Sequence, residues 1–147
     1  MTEEIFQIGI KAIIINDKNE ILLLKSGPAE EEHTKITFWD LPGGRIQEGH
    51  TIEDTLRREV EEELGISSDL LKIDGIFDAT ISNFKKSHHH SNTCLMLIAY
   101  KCELKSNKFK LSDEHSEYGW FSAPEAKKLL STKFPKNFTD RFDSLDA

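Results

Sequence analysis

Three glutamates, Glu59, Glu62 and Glu63, recur at helical spacing within Arg58-Glu-Val-Glu-Glu-Glu-Leu-Gly65. At about 100° per residue they fall on one flank of a helix, spread over roughly 100° of arc, while Glu61 points away to solvent. Carboxylates so placed repel one another, and helix stability alone would not select them. Such oxygen donors suit a hard divalent cation, Mg²⁺ or Mn²⁺, which relieves the repulsion and bridges to the phosphates of a bound molecule. On its own, an acid run is more commonly a solvated helix face. Here Gly43-Gly44 lies shortly upstream, where backbone can approach a ligand closely.

The helix that positions these acids is the clearest element of the chain. Thr51 is an N-cap with Asp54 three residues on, Ile52, Leu56, Val60 and Leu64 recur every fourth residue, and Gly65 is the stop. Upstream, Ile8 to Ile15 and Ile21 to Leu24 read as strands around the polar turn Asn16 to Glu20. Ser26 to Thr37 reads as an acid-rich loop, Trp39 to Leu41 as a short strand, and Pro42-Gly43-Gly44 as a turn. Downstream, Leu71 to Ser82 and Thr93 to Glu103 read as strands flanking a loop, Asn83 to Asn92. A short strand at Tyr118 to Phe121 precedes a final helix with Ser122 as cap, Pro124 in the first turn and Glu125 closing a capping box. Strands and helices mix without strict alternation, which points to an α/β fold with a mixed sheet between helices.

The length of 147 residues suits one domain, 1–147, and shows no internal repeat. A net charge of −7 without a basic stripe disfavours binding to long nucleic acid, though a small anion is acceptable where a metal reverses the local sign. No apolar run reaches membrane-span length, and the acidic start Met1-Thr-Glu-Glu4 lacks the basic region of a signal peptide, so a cytoplasmic protein is expected. Cys94 and Cys102, on one predicted strand and ~26 Å apart, cannot bridge and read as small core residues.

Gly44-Arg-Ile-Gln-Glu-Gly-His50 followed by Arg58-Glu-Val-Glu-Glu-Glu-Leu-Gly-Ile66 resembles the Nudix box. Every fixed position of that pattern matches except one: His50 stands where the family carries its first glutamate. Trp39-Asp-Leu-Pro-Gly43 before the box, and Trp120-Phe121 before a capped helix, are also similar to the family. The resemblance implies an α/β/α sandwich with a mixed sheet, and hydrolysis of a nucleoside diphosphate linked to another moiety. It further implies Glu59, Glu62 and Glu63 as Mg²⁺ (or Mn²⁺) ligands with the Gly44 carbonyl, Glu59 and Glu62 in catalysis, and Arg58 orienting Glu59. A divalent ion activates water and offsets charge at the leaving group, which agrees with the reading of the acids themselves.

Outside the box, Glu114 is a candidate additional acid, because some family members use an acid just before the last strand; a polar loop is the alternative for it and for Glu117. Arg45 and Gly43 are candidate substrate contacts. Lys25, Lys85 and Lys86 could meet phosphates, although loop lysines are usually solvated. His88, His89 and His90 are consecutive and read as a solvated loop rather than a metal site. Phe38 and Trp39 stack a base or pack the core, with the core expected. Ser67 to Phe84 lacks the Pro and Tyr marks of ADP-ribose or dinucleotide specificity, which leaves a nucleoside triphosphate or a nucleotide sugar. His50 motivates a rival reading, a domain that binds a nucleotide or a partner protein without turnover. A third, an isomerase of diphosphate-bearing lipids, needs catalytic residues that the sequence does not display. Homodimers are common in the family.

Overall fold

The computed structural model describes residues 3–84, 93–106 and 108–146. Lys85, Lys86 and His88 to His90 lie outside the described residues.

Among the described residues, seven strands form two sheets. The first is mixed, in the order β4 (Gly43–Arg45), β1 (Ile5–Ile14), β6 (Thr93–Leu104), β5 (Leu71–Ile81), with β1 and β6 parallel and the other pairs antiparallel. The second, β3 (Trp39–Asp40), β2 (Ile21–Ser26), β7 (His115–Phe121), is antiparallel. Asn16 turns the chain from β1 to β2, its Oδ1 accepting from the backbone N–H groups of Lys18 and Glu20.

The alternation of β1 divides two cores. Ile10, Ala12 and Ile14 face Leu22, Leu24 and the apolar stripe of helix α2 (Ile52–Leu64), where Leu56, Val60 and Leu64 are fully buried. Each of those side chains contributes about 1.5–3 kcal/mol by leaving water. Ile13, from the opposite face, packs with Leu95, Leu97, helix α3 (Ala123–Leu130) and Phe134, Phe138 and Phe142. Both expected caps form: the Thr51 hydroxyl accepts from Asp54 N–H, and the Ser122 hydroxyl from Glu125 N–H. Gly65 ends α2 in the left-handed conformation.

Several expectations differ from the structure. Pro28–Thr34, within the expected loop, is a helix, α1, with Pro28 in its first turn and Glu30 and Glu31 favourable to its dipole. It has no buried residue, so it leaves no apolar periodicity to detect. The expected Pro-Gly-Gly turn is instead the start of β4: Ala12 N–H donates to the Pro42 carbonyl, and Gly43 and Gly44 pair with Lys11 and Ile10. Gly43 has φ +147°, and a Cβ there would strike the Ile10 carbonyl. Ile52, assigned to the apolar stripe, is 38% exposed in the first turn of α2. The chain continues beyond α3 into α4 (Lys136–Thr139) and a 3₁₀ segment, Asp140–Asp146, whose phenylalanines complete the second core. Cys102 is buried as expected, whereas Cys94 is partly exposed beside the Glu4 carboxylate; neither forms a disulfide. Among the described residues, no helix is long and apolar enough to cross a membrane.

Candidate active site

Helix α2 docks onto β4 through its acids. Glu63, on the buried flank, accepts a hydrogen bond from Gly43 N–H at 2.7 Å. Glu59, one turn earlier, lies so close to Gly44 that a Cβ on that glycine would collide with its carboxyl group. Gly44 therefore leaves room for the Glu59 carboxyl at the strand edge, and Glu63 reaches the same edge through the Gly43 N–H. Glu62 is exposed and pairs loosely with Arg58, its Oε1 4.0 Å from Nε. Arg58 also reaches His50, with 2.7 Å between its guanidinium and Nδ1.

A second segment reaches the same place because it is zipped to the end of α2. Lys110 N–H donates to the Leu64 carbonyl and Ser112 N–H to the Glu63 carbonyl, which brings Glu114 and His115 alongside. Ligand atoms of Glu63, Glu114 and His115 lie within 4.8 Å of one another. The His115 Nε2 stands 3.6 Å from a Glu63 oxygen, and its Nδ1 is buried with no hydrogen-bond partner among the described residues.

Burial governs the titration of this group. It pushes the Glu63 carboxyl up to about 8, against the charge of Lys11 and the Gly43 hydrogen bond. Burial, then the charges of Glu62 and Glu114, raises Glu59 above the ordinary carboxylate range. Burial lowers His115 to about 4, so its imidazole is neutral at pH 7.

Glu59, Glu63, Gly43, Gly44, Arg45 and Glu114 line a cavity of about 430 Å³; Glu62 and His50 are not in its lining. The same cavity is lined by a buried triad that the sequence did not single out. The Asp40 Oδ2 accepts from Lys11 Nζ at 3.1 Å and from Lys133 Nζ at 2.5 Å, and Oδ1 accepts from Leu41 N–H. Burial opposes ionisation of Asp40, and the two lysine charges outweigh it, holding the carboxyl at about 2. Phe38, 4% exposed, lines the same cavity, whereas Trp39 packs edge-on against Phe121 beside the core. Lys25 is on β2, paired with Glu117 at 3.5 Å.

The NUDIX domain family profile matches residues 5–142, and the chain belongs to that family. It is 30% identical over 112 residues to Nudix hydrolase 6 of Arabidopsis thaliana, a match covering 76% of this chain and 36% of that protein. The chain thus spans about a third of the length of that relative. It is also 30% identical over 88 residues to the nucleoside triphosphatase NudI of Escherichia coli, covering 56% of this chain and 60% of the relative. Among solved structures, the MutT protein from Methanosarcina mazei Go1 superposes with a TM-score of 0.74 at 28% identity, covering 99% of this chain and 96% of that one. The mixed α/β architecture expected from the box is that of the family.

Proposed function

We propose that the chain hydrolyses a phosphoanhydride bond in a nucleotide, using Mg²⁺ (or Mn²⁺) held by Glu59, Glu62, Glu63 and the Gly44 carbonyl. The supporting observation is the docking of Glu59 and Glu63 on the backbone of Gly44 and Gly43 beside a cavity large enough for a small phosphorylated ligand. The residues fit such an ion. Their donors are oxygens, burial and then the charges of Glu62 and Glu114 raise the Glu59 carboxyl, and Glu114 offers an oxygen within 4.8 Å of Glu63. A divalent ion bound there offsets that repulsion, polarises phosphate oxygens and activates water.

The chain's own groups do the rest. Burial pushes the Glu63 carboxyl up to about 8, so an ion bound there would displace its proton to solvent and take the carboxylate. Arg58 lies between His50 and Glu62 and orients the carboxylates of α2. Arg45 and the Gly43 backbone border the cavity and are placed to meet substrate phosphates.

Of the two substrate classes left open by the sequence, a nucleoside triphosphate agrees with the similarity to a nucleoside triphosphatase; a nucleotide sugar is the other. Phosphate and pyrophosphate release should be screened over nucleoside triphosphates and nucleotide sugars, with Mg²⁺ and with EDTA. Mg²⁺-dependent cleavage is expected, and the products identify the phosphorus attacked. Tight nucleotide binding without release from any substrate would favour the binding-only reading that His50 motivates. Cytoplasmic residence and homodimer formation belong to the same proposal, and are tested by cell fractionation and by light scattering after size exclusion.

A further inference from the structure

The cavity is lined by two charged groups, the acids Glu59, Glu63 and Glu114 and the buried triad Lys11, Asp40 and Lys133, with Glu30 also in the lining and apolar walls from Phe38, Phe84 and the Leu95 and Leu97 side chains. Lys133 and Asp40 side chains are 10% and 9% exposed, and Lys11 8%. An ammonium group carries three donors and no acceptor. Lys133 gives one proton to Asp40, and its other contacts are the faces of Phe38 and Phe84, 5.7 and 5.8 Å from Nζ. Among the described residues it has no second hydrogen-bond acceptor. Lys11 donates to Asp40 and to the Leu41 carbonyl, and Asp40 is already used by Lys11, Lys133 and the Leu41 N–H, so the donor surplus of the triad lies on Lys133.

The Lys133 backbone is fixed as well. Its carbonyl accepts from the Ser82 hydroxyl at 2.9 Å and from Asn83 N–H at 2.8 Å, so the turn after α3 is tied to the end of β5. Phe84, next along, meets Phe38 edge-on at 5.0 Å between centroids. A donor surplus beside aromatic and aliphatic walls suits a flat ring that brings its own acceptor.

We propose that Lys133, seconded by Lys11 and flanked by Phe38 and Phe84, is a specificity-determining subsite for the ring carbonyl of an oxo-base. Hypoxanthine, guanine and uracil present such an acceptor; adenine and cytosine present an amino donor at the same edge. An amino group here would meet an ammonium of like polarity and leave both desolvated donors unpaired, which is how a hydrogen-bonding site rejects the wrong analogue. The phosphates then fall to the metal held by the acids of α2. This inference rests on the nucleotide reading above and names the base class of that substrate.

IMP and AMP share their phosphate and ribose and exchange a carbonyl for an amine on the ring, so phosphate affinity cancels between them. Isothermal titration of the wild-type protein should show IMP bound about tenfold or more tightly than AMP, and UMP more tightly than CMP. Lys133→Met keeps a side chain of similar length against the two rings and leaves Asp40 paired with Lys11. In that variant the IMP to AMP ratio should fall to near one, with its melting temperature recorded alongside. Equal binding of the pair by wild type, a preference for AMP, no binding of either, or a ratio unchanged in folded Lys133→Met overturns the subsite. Binding is read without turnover. A protein that prefers IMP yet cleaves no triphosphate with Mg²⁺ defeats the proposed reaction and leaves the subsite standing.

Discussion

The guanidinium of Arg58 stands 2.7 Å from Nδ1 of His50, eight residues earlier in the chain. A guanidinium only donates, so this contact uses the lone pair of an unprotonated nitrogen, and a neutral imidazole takes the role of acceptor where the family carries a carboxylate. A glutamate there makes a charge-assisted bond about twice as strong. We expect His50→Glu to preserve the fold and to raise activity or Mg²⁺ affinity. The pH–rate profiles of wild type and variant decide the matter. A glutamate variant that loses activity together with an acid limb would give the imidazole a role of its own.

Glu63 links stability to pH in a definite direction. Its carboxyl lies at about 8 in the fold against an ordinary 4.5, so the folded chain keeps a proton that the unfolded chain has shed. That contribution is complete below 4.5 and is lost as pH rises to about 8. His115, lowered from 6.5 to about 4, acts oppositely: its contribution is complete above 6.5 and is lost as pH falls to 4. Of these two, only Glu63 therefore changes between pH 6.5 and 8. Urea melts in EDTA should show a loss on the order of 2 kcal/mol across that interval in wild type, and much less in Glu63→Gln. Adding Mg²⁺ should reverse the slope in wild type, because the ion requires the carboxylate.

Glu59→Gln, Glu62→Gln and Glu63→Gln each remove one charge from a repelling set. We expect intact folds and turnover lower by roughly a hundredfold or more. Calorimetric titration with Mg²⁺ is the direct check, and affinity equal to wild type in all three variants would sink the ligand assignment. Glu62 is the informative member, since it is exposed and outside the cavity lining.

Asp40→Asn should be among the most destabilising single changes in the chain. It leaves Lys11 and Lys133 buried around a neutral amide, at a cost of about 3–5 kcal/mol. Lys133→Met, which leaves the Asp40–Lys11 pair in place, should cost less. Denaturant midpoints of the two variants test that ordering.

Helix α2 was legible because cap, stop and most of an apolar stripe all agree in one stretch, and the box resemblance marked the acids on it. Helix α1 was not, because it buries nothing and offers only composition. The glycine pair looked like a turn because glycines usually make one; the actual requirements are the Glu59 carboxyl against Gly44, 15 residues away, and the Ile10 carbonyl against Gly43, 33 residues away. Lys11 carried a readable signal, being the single charge within Ile8 to Ile15. Its partner Lys133 carried none: it follows α3 in a turn, 93 residues from Asp40, and only the fold joins them. Glu114 resembled any acidic loop residue until the Lys110 and Ser112 hydrogen bonds to α2 located it.

The groups assigned to bond cleavage and those assigned to base choice are carried by different stretches of chain. The acids are on α2, whose apolar stripe is a structural necessity for one core, whereas Lys133 lies in a turn held by the Ser82 hydroxyl and the Asn83 N–H. Those bonds are made to the Lys133 carbonyl and do not depend on its side chain. On the proposed assignment, mutational drift at position 133 would exchange one nucleotide preference for another while α2 stays untouched, which makes that turn the point of least resistance for new substrates to arise.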